Sequence, residues 1–158
     1  MLYLVMGVAG AGKTTVGRAL AQALGCAFLE GDTLHPPANI EKMAHGIPLN
    51  DADRAPWLTA IRKKLEEAAA TGSDLVVACS ALKQRYRDTL DHGLPVRWIY
   101  LQSDPALLHQ RLEQRQGHYM KAKMLASQLA DLEPPSAANA VIVDAALPPD
   151  QIVARVLT

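Results

Sequence analysis

Two hydrophobic rhythms alternate along this chain. Leu2-Tyr3-Leu4-Val5-Met6 is a short unbroken apolar run, as expected of a strand buried on both faces. After a glycine-rich stretch, Val16, Leu20 and Leu24 recur at helical spacing, with Gly25 as the stop. The pair repeats down the sequence. Residues 26–29 form a second apolar run that ends in Glu30-Gly31-Asp32, and 35–46 read as a short helix closing at Gly46. Trp57, Leu58, Ile61, Leu65 and Ala68 make the apolar stripe of a longer helix, with Pro56 either in its first turn or at a kink. Leu75-Val76-Val77-Ala78-Cys79, residues 96–101 and residues 140–143 are three further strands. Helices are expected near 82–91 and 105–115, and around Ile152, Val153, Val156 and Leu157. Apolar strands alternating with amphipathic helices predict an α/β domain whose parallel sheet is covered on both faces and whose crossovers are right-handed.

Composition narrows the class. The 158 residues make one domain, and with 49% hydrophobic and 20% charged residues the chain is globular rather than disordered. Sixteen basic residues balance sixteen acidic ones. A neutral chain has no broad basic surface, so neither nucleic acid nor an anionic membrane is expected as a partner. Cys26 and Cys79 are too few for a disulfide framework or a zinc site. The first apolar run is too short for a leader or a membrane span, so a cytoplasmic location is expected.

The glycine-rich stretch carries the first chemistry. Gly7-Val8-Ala9-Gly10-Ala11-Gly12-Lys13-Thr14 matches the phosphate-binding P-loop, with a buried strand before it and a helix after it. Small residues let the chain curl so that successive N–H groups converge on phosphate oxygens, and the helix N-terminus adds a favourable partial charge. Lys13 is expected to reach the β- and γ-phosphates, and the Thr14 hydroxyl to bind Mg²⁺. The motif alone does not separate a kinase from a switch or a motor; the short chain favours a small phosphotransferase.

Glu30 and Asp32 lie at the carboxyl end of the second strand, the edge at which open parallel sheets bind ligands. A carboxylate there serves either to hold a water bound to the metal or to take the proton of an attacking hydroxyl.

Beyond this point the sequence resembles the P-loop gluconate kinases. The resemblance rests on Gly31-Asp32-x-Leu34-His35-Pro36, Asn39-Ile40-Glu41-Lys42-Met43, Pro48-Leu49-Asn50-Asp51-x-Asp53-Arg54-x-Pro56-Trp57-Leu58, Cys79-Ser80-Ala81-Leu82-Lys83-x-x-Tyr86-Arg87-Asp88 and Gly117-His118-Tyr119-Met120-Lys121. These blocks run from Leu2 to about Val143, nearly the whole chain. The resemblance implies ATP-dependent phosphorylation of D-gluconate at its 6-hydroxyl, within carbohydrate-acid catabolism. It also implies a three-layer α/β/α P-loop fold of the shikimate-kinase and nucleoside-monophosphate-kinase type, a five-stranded sheet in the order 2-3-1-4-5, and a homodimer. The departures are Glu30, where the family often has Asp, and Ala9 and Ala11, where serines are common; neither removes a backbone donor.

The resemblance also distributes roles. Residues 34–72 would supply acceptor-binding helices and 115–125 a lid, all within one domain spanning 1–158. Asp32 would orient and deprotonate the 6-hydroxyl, Lys13 and Arg115 would serve the transferred phosphoryl group, and Thr14 would ligate Mg²⁺ with Glu30 reaching it through a water. Residues 7–14, Thr15, Arg111 and Arg115 would bind ATP; four residues apart, Arg111 and Arg115 would share one face of a helix, about 6 Å apart along its axis. A sugar acid needs a cation for its carboxylate and polar groups along its hydroxyls. The candidates are Lys42, Arg54, Lys83 and Arg87 for the first, and Asp32, His35, Ser80 and His118 for the second. Tyr86, Trp57 and the methionines read as packing residues. Two alternatives remain at this level: the same fold with shikimate or another polyol acid as acceptor, and a nucleotide-binding regulator that transfers nothing.

Overall fold

A computed structural model describes residues 1–113 and 118–158, the side chains of 113 and 118–123 excepted. Five strands form one parallel sheet: β1 (Leu2–Met6), β2 (Ala27–Glu30), β3 (Leu75–Ala78), β4 (Val96–Gln102) and β5 (Ala140–Asp144). Their order is β2-β3-β1-β4-β5, as the resemblance implied. The helices are α1 (Lys13–Leu24), α2 (Pro37–Ala44), α3 (Asp51–Thr71), α4 (Gln84–Asp91), α5 (Pro105–Glu113), α6 (His118–Asp131) and α7 (Pro149–Leu157). A 3-10 turn over Gly31–Leu34 follows β2.

The period-two alternation of the central strand divides the core. Tyr3 and Val5 point into a cluster with Val16 and Leu20 of α1, Leu108 of α5 and Ile152 and Val156 of α7. Leu2, Leu4 and Met6 point the other way, onto Trp57, Ile61 and Leu65 of α3 and Leu90 of α4. Every residue of β1 is therefore buried, which explains its unbroken apolar run. The edge strands are less covered: β2 has no fully buried residue, and Ile142 of β5 is exposed beside buried Val143.

The structure moves several boundaries read from the sequence. Helix α3 starts at Asp51, capped by Asn50, whose side chain accepts from Asp53 N–H while the Asp53 carboxylate accepts from Asn50 N–H. This reciprocal cap stabilises the helix start by about 1 kcal/mol, so Pro56 lies inside the helix and not in its first turn. Helix α4 begins two residues later than expected, because Ala81 adopts a left-handed conformation (φ 40°) that holds 79–83 as a loop. Helix α6 extends to Asp131, well beyond the expected lid segment. Among the described residues no helix is long and apolar enough to cross a membrane.

Candidate active site

The site lies where β1, β2 and β3 end. Gly10 (φ 84°) and Gly12 (φ 97°) take left-handed conformations that bend the P-loop, and Gly12 caps α1 without any side-chain bond. That leaves the first N–H groups of α1 free to meet an anion. Lys13 folds back over the loop, its Nζ donating to the Val8 carbonyl (3.1 Å). Burial lowers its pKa, opposed by the negative charge of Asp32 and Glu30. Polyphosphate charge would offset that desolvation in the same direction.

The Thr14 hydroxyl donates to the Glu30 carboxylate, so these two oxygen donors meet beside the loop. A hard cation that takes most of its ligands from phosphate and water suits this pair. Among the described residues no cluster of three or more His, Cys, Asp or Glu side chains offers a complete cage.

Two cavities meet at the loop. One, of ≈ 270 Å³, is lined by Ala9, Gly10 and residues 12–15, by Asp32, and by Leu112 and Met124. The other, of ≈ 90 Å³, is lined by Ala9, Lys13, Asp32, His35, Arg54 and Ser80, with Trp57 and Gln128 closing its walls. Lys13 and Asp32 border both. The position of Asp32 depends on Gly31, where a Cβ would lie 2.5 Å from the Ala78 carbonyl oxygen, so the turn can press against β3. A third cavity, of ≈ 400 Å³, opens on the far side of the loop between Gly10–Gly12, Arg111, Ala145 and Pro149. Arg111 spans its floor, donating to the carbonyls of Gly10 (3.0 Å), Ala11 (3.2 Å) and Ala145 (2.8 Å).

The four candidate cations separate. Arg54 lines the acceptor-side pocket; its Nη1 donates to the Tyr86 hydroxyl (2.8 Å) and its Nη2 to Asp131 (3.2 Å). Lys83 borders a neighbouring cleft, with its Nζ 4.0 Å from Asp131. Lys42 is paired with both Asp53 oxygens (3.0 Å), on the residue that completes the reciprocal cap of α3, and does not line the pocket. Arg87 is 2% exposed, and its guanidinium donates to the carbonyls of Ala81, Leu82 and Glu133 and to Gln84 Oε1. This corrects its reading as a substrate cation: its donors are spent on Ala81, Leu82, Gln84 and Glu133. Arg115 lies outside the described residues, as does the side chain of His118.

Other residues gain a place that their local sequence did not suggest. Trp57 both packs in the core and lines the pocket, stacked on His35 with centroids 4.4 Å apart and planes 11° from parallel. Gln128 of α6 accepts from the Ala9 N–H (2.7 Å) and so ties the P-loop to the pocket wall. A polar residue on a helix carries no signal of such a contact. Burial and the nearby Arg54 lower the His35 pKa to about 4, which makes it neutral at physiological pH. At the sheet edge beneath, burial pushes the Cys79 thiol well up, so it behaves as a small apolar residue.

Comparison with known proteins agrees with this geometry. A family profile described as an AAA domain matches residues 2–135. The gluconokinase of Gluconobacter oxydans is 50% identical over 140 residues, covering 88% of this chain and 79% of the relative. The thermoresistant gluconokinase of Escherichia coli is 43% identical, covering 99% and 91%. The crystal structure of a gluconokinase from Sinorhizobium meliloti superposes with a TM-score of 0.87 at 46% identity, covering 98% of this chain and 88% of the other. With a P-loop on one side of Asp32 and a small polar pocket on the other, and with relatives this similar over nearly its whole length, this chain belongs to the gluconokinase family.

Proposed function

We propose that the protein transfers the γ-phosphoryl group of ATP to the 6-hydroxyl of D-gluconate, giving 6-phospho-D-gluconate and ADP. The observation that carries this reading is the position of Asp32 on the boundary between the phosphate cavity and the adjoining polar pocket. A hydroxyl bound there lies beside a carboxylate that takes its proton as the oxygen attacks phosphorus. The new O–P bond forms as the bond from phosphorus to the β,γ-bridging oxygen breaks, and ADP departs. The P-loop N–H groups and Lys13 hold the phosphates, and Arg115 is assigned by resemblance to the charge on the transferred group. The ≈ 400 Å³ cavity beside Arg111 and Ala145 has the room for a nucleoside, with Val16, Leu147 and Ile152 among its lining residues. Arg54, the one candidate cation that lines the acceptor pocket among the described residues, suits the gluconate carboxylate; Ser80 and His35 suit its hydroxyls.

Thr14 and Glu30 would hold Mg²⁺. When bound, the ion neutralises charge on the phosphate oxygens. A cytoplasmic location and a homodimer belong to the same reading; the free thiols Cys26 and Cys79 accord with a reducing compartment.

Release of ADP from Mg·ATP across gluconate, shikimate, other aldonic acids and no acceptor tests the reaction. Strong stimulation by gluconate alone is expected. Stimulation by another acid instead would keep the kinase and discard the acceptor. Tight ATP binding with no stimulation by any acid would point to a regulator.

A further inference from the structure

We propose that Asn39 is a positioning residue that holds His35 as its Nε2-protonated tautomer, so that His35 offers the acceptor pocket a hydrogen-bond donor and no acceptor. Asn39 is 3% exposed, and its Nδ2 donates to the backbone carbonyl of Asp53 (2.7 Å). A carbonyl only accepts, so this contact fixes which end of the amide is nitrogen; the flipped amide would set oxygen against oxygen. The same Nδ2 lies 3.2 Å from His35 Nδ1. An amide nitrogen donates and does not accept, so Nδ1 must be the bare nitrogen. A neutral ring then carries its proton on Nε2.

The surroundings exclude the imidazolium. The ring is 8% exposed and lies flat on Trp57, whose Nε1 donates to the Gly31 carbonyl (2.8 Å), one residue from Asp32. A proton on Nδ1 would face the Asn39 donor, and Arg54 on the same pocket adds a repelling charge. The lowered pKa of His35 follows from that burial and that charge. His35 lines the acceptor pocket, and with Nδ1 held by Asn39 and one ring face on Trp57, Nε2 is the ring nitrogen left to face it.

The consequence is a fixed polarity. Asp32 accepts and His35 donates. A hydroxyl satisfies both at once, giving its proton to the carboxylate and accepting from Nε2–H. An ammonium group has no lone pair for His35, and a deoxy carbon satisfies neither partner. The site therefore selects polyhydroxy acids over their amino and deoxy analogues at the position facing this pair, by a margin of about tenfold or more per lost bond. The selection of hydroxyls rests on the gluconate reading; the tautomer does not.

Long-range ¹H–¹⁵N spectra of histidine-labelled protein without acceptor, with His35 assigned among the five histidines by its loss in His35→Gln, read the tautomer directly. The Nε2–H pattern at neutral pH is expected. An Nδ1–H or doubly protonated ring would overturn the proposal. In Asn39→Ala the ring should become a mixture of tautomers, and KM for gluconate should rise about tenfold while KM for ATP holds. An unaltered Nε2–H spectrum in Asn39→Ala would remove Asn39 from the role. So would equal losses in both KM values, which would indicate a general structural effect. If Asn39→Ala does not fold, the wild-type spectrum still decides the tautomer, and competitive inhibition by 6-amino- and 6-deoxygluconate decides the polarity: both should bind at least about tenfold more weakly than gluconate, and equal binding would overturn it. A wild-type Nε2–H ring in a protein that turns over no gluconate would refute the substrate and leave the tautomer standing.

Discussion

The two halves of this site are built by opposite means. The phosphate side is a local structure: eight consecutive residues bend at Gly10 and Gly12 and present backbone N–H groups from the start of α1. The acceptor side is assembled from widely separated segments set against the P-loop. Asp32 and His35 come from the turn after β2, Arg54 and Trp57 from α3, Ser80 from the loop after β3, and Gln128 from α6. Backbone geometry tolerates changes of side chain that keep the glycines and Lys13, so Ala9 and Ala11 in place of serines leave the loop intact. A pocket built from side chains of distant segments depends on the packing that brings those segments together.

The largest effect that separates the two halves is expected at Asp32, which belongs to both. Asp32→Asn should lower turnover by about 10²- to 10⁴-fold, the usual contribution of a positioned base, while calorimetric ADP affinity stays within a few-fold. Turnover near wild type would remove Asp32 from proton transfer.

A pair of arginines gives the next contrast. Arg87→Met leaves several buried carbonyls without donors and should cost about 3 kcal/mol in urea unfolding, with KM for gluconate close to wild type in the folded enzyme. Arg54→Met should do the reverse: KM for gluconate rises at least about tenfold, and ATP binding is retained. If both variants shift KM for gluconate equally, the division between a supporting and a substrate-facing arginine fails.

A smaller effect is expected from pH. His35 titrates near 6.5 when unfolded and about 4 when folded, so the unfolded chain binds the proton first. Its contribution to stability is whole above pH 6.5, declines as pH falls from 6.5 to about 4, and is gone below that. Across that window wild type should lose more stability to urea than His35→Gln does; parallel curves would contradict a buried neutral histidine. The smallest effect belongs to Lys42, whose partly exposed, solvent-screened pair with Asp53 contributes little to stability. Lys42→Met should leave KM for gluconate unchanged, and a tenfold rise would return Lys42 to the substrate.

Legibility follows the same division. The apolar runs located every strand to within a residue or two, because burial on both faces leaves no polar position in β1. Helix starts were less visible. Pro56 does not mark the start of α3, whose N-cap Asn50 lies six residues earlier, and the left-handed Ala81 delays α4 with no glycine to announce it. The four-residue spacing of His35 and Asn39 was a usable signal for their contact, since residues so spaced meet when the second lies on a helix. Gln128 offered none, because its partner is a backbone N–H of residue 9.

What can be read along the chain is what neighbouring residues decide together: strand and helix rhythm, the P-loop and the carboxylates at the end of β2. Resemblance adds the strand order and the family. Packing chose among side chains that are chemically alike. Lys42, Arg54, Lys83 and Arg87 have the same charge and the same propensity, yet one lines the pocket, one borders the next cleft, one braces a helix cap and one is buried in a loop. Charge and spacing are local properties, whereas the partner that uses up a guanidinium is set by which segments the fold brings within 3 Å of it.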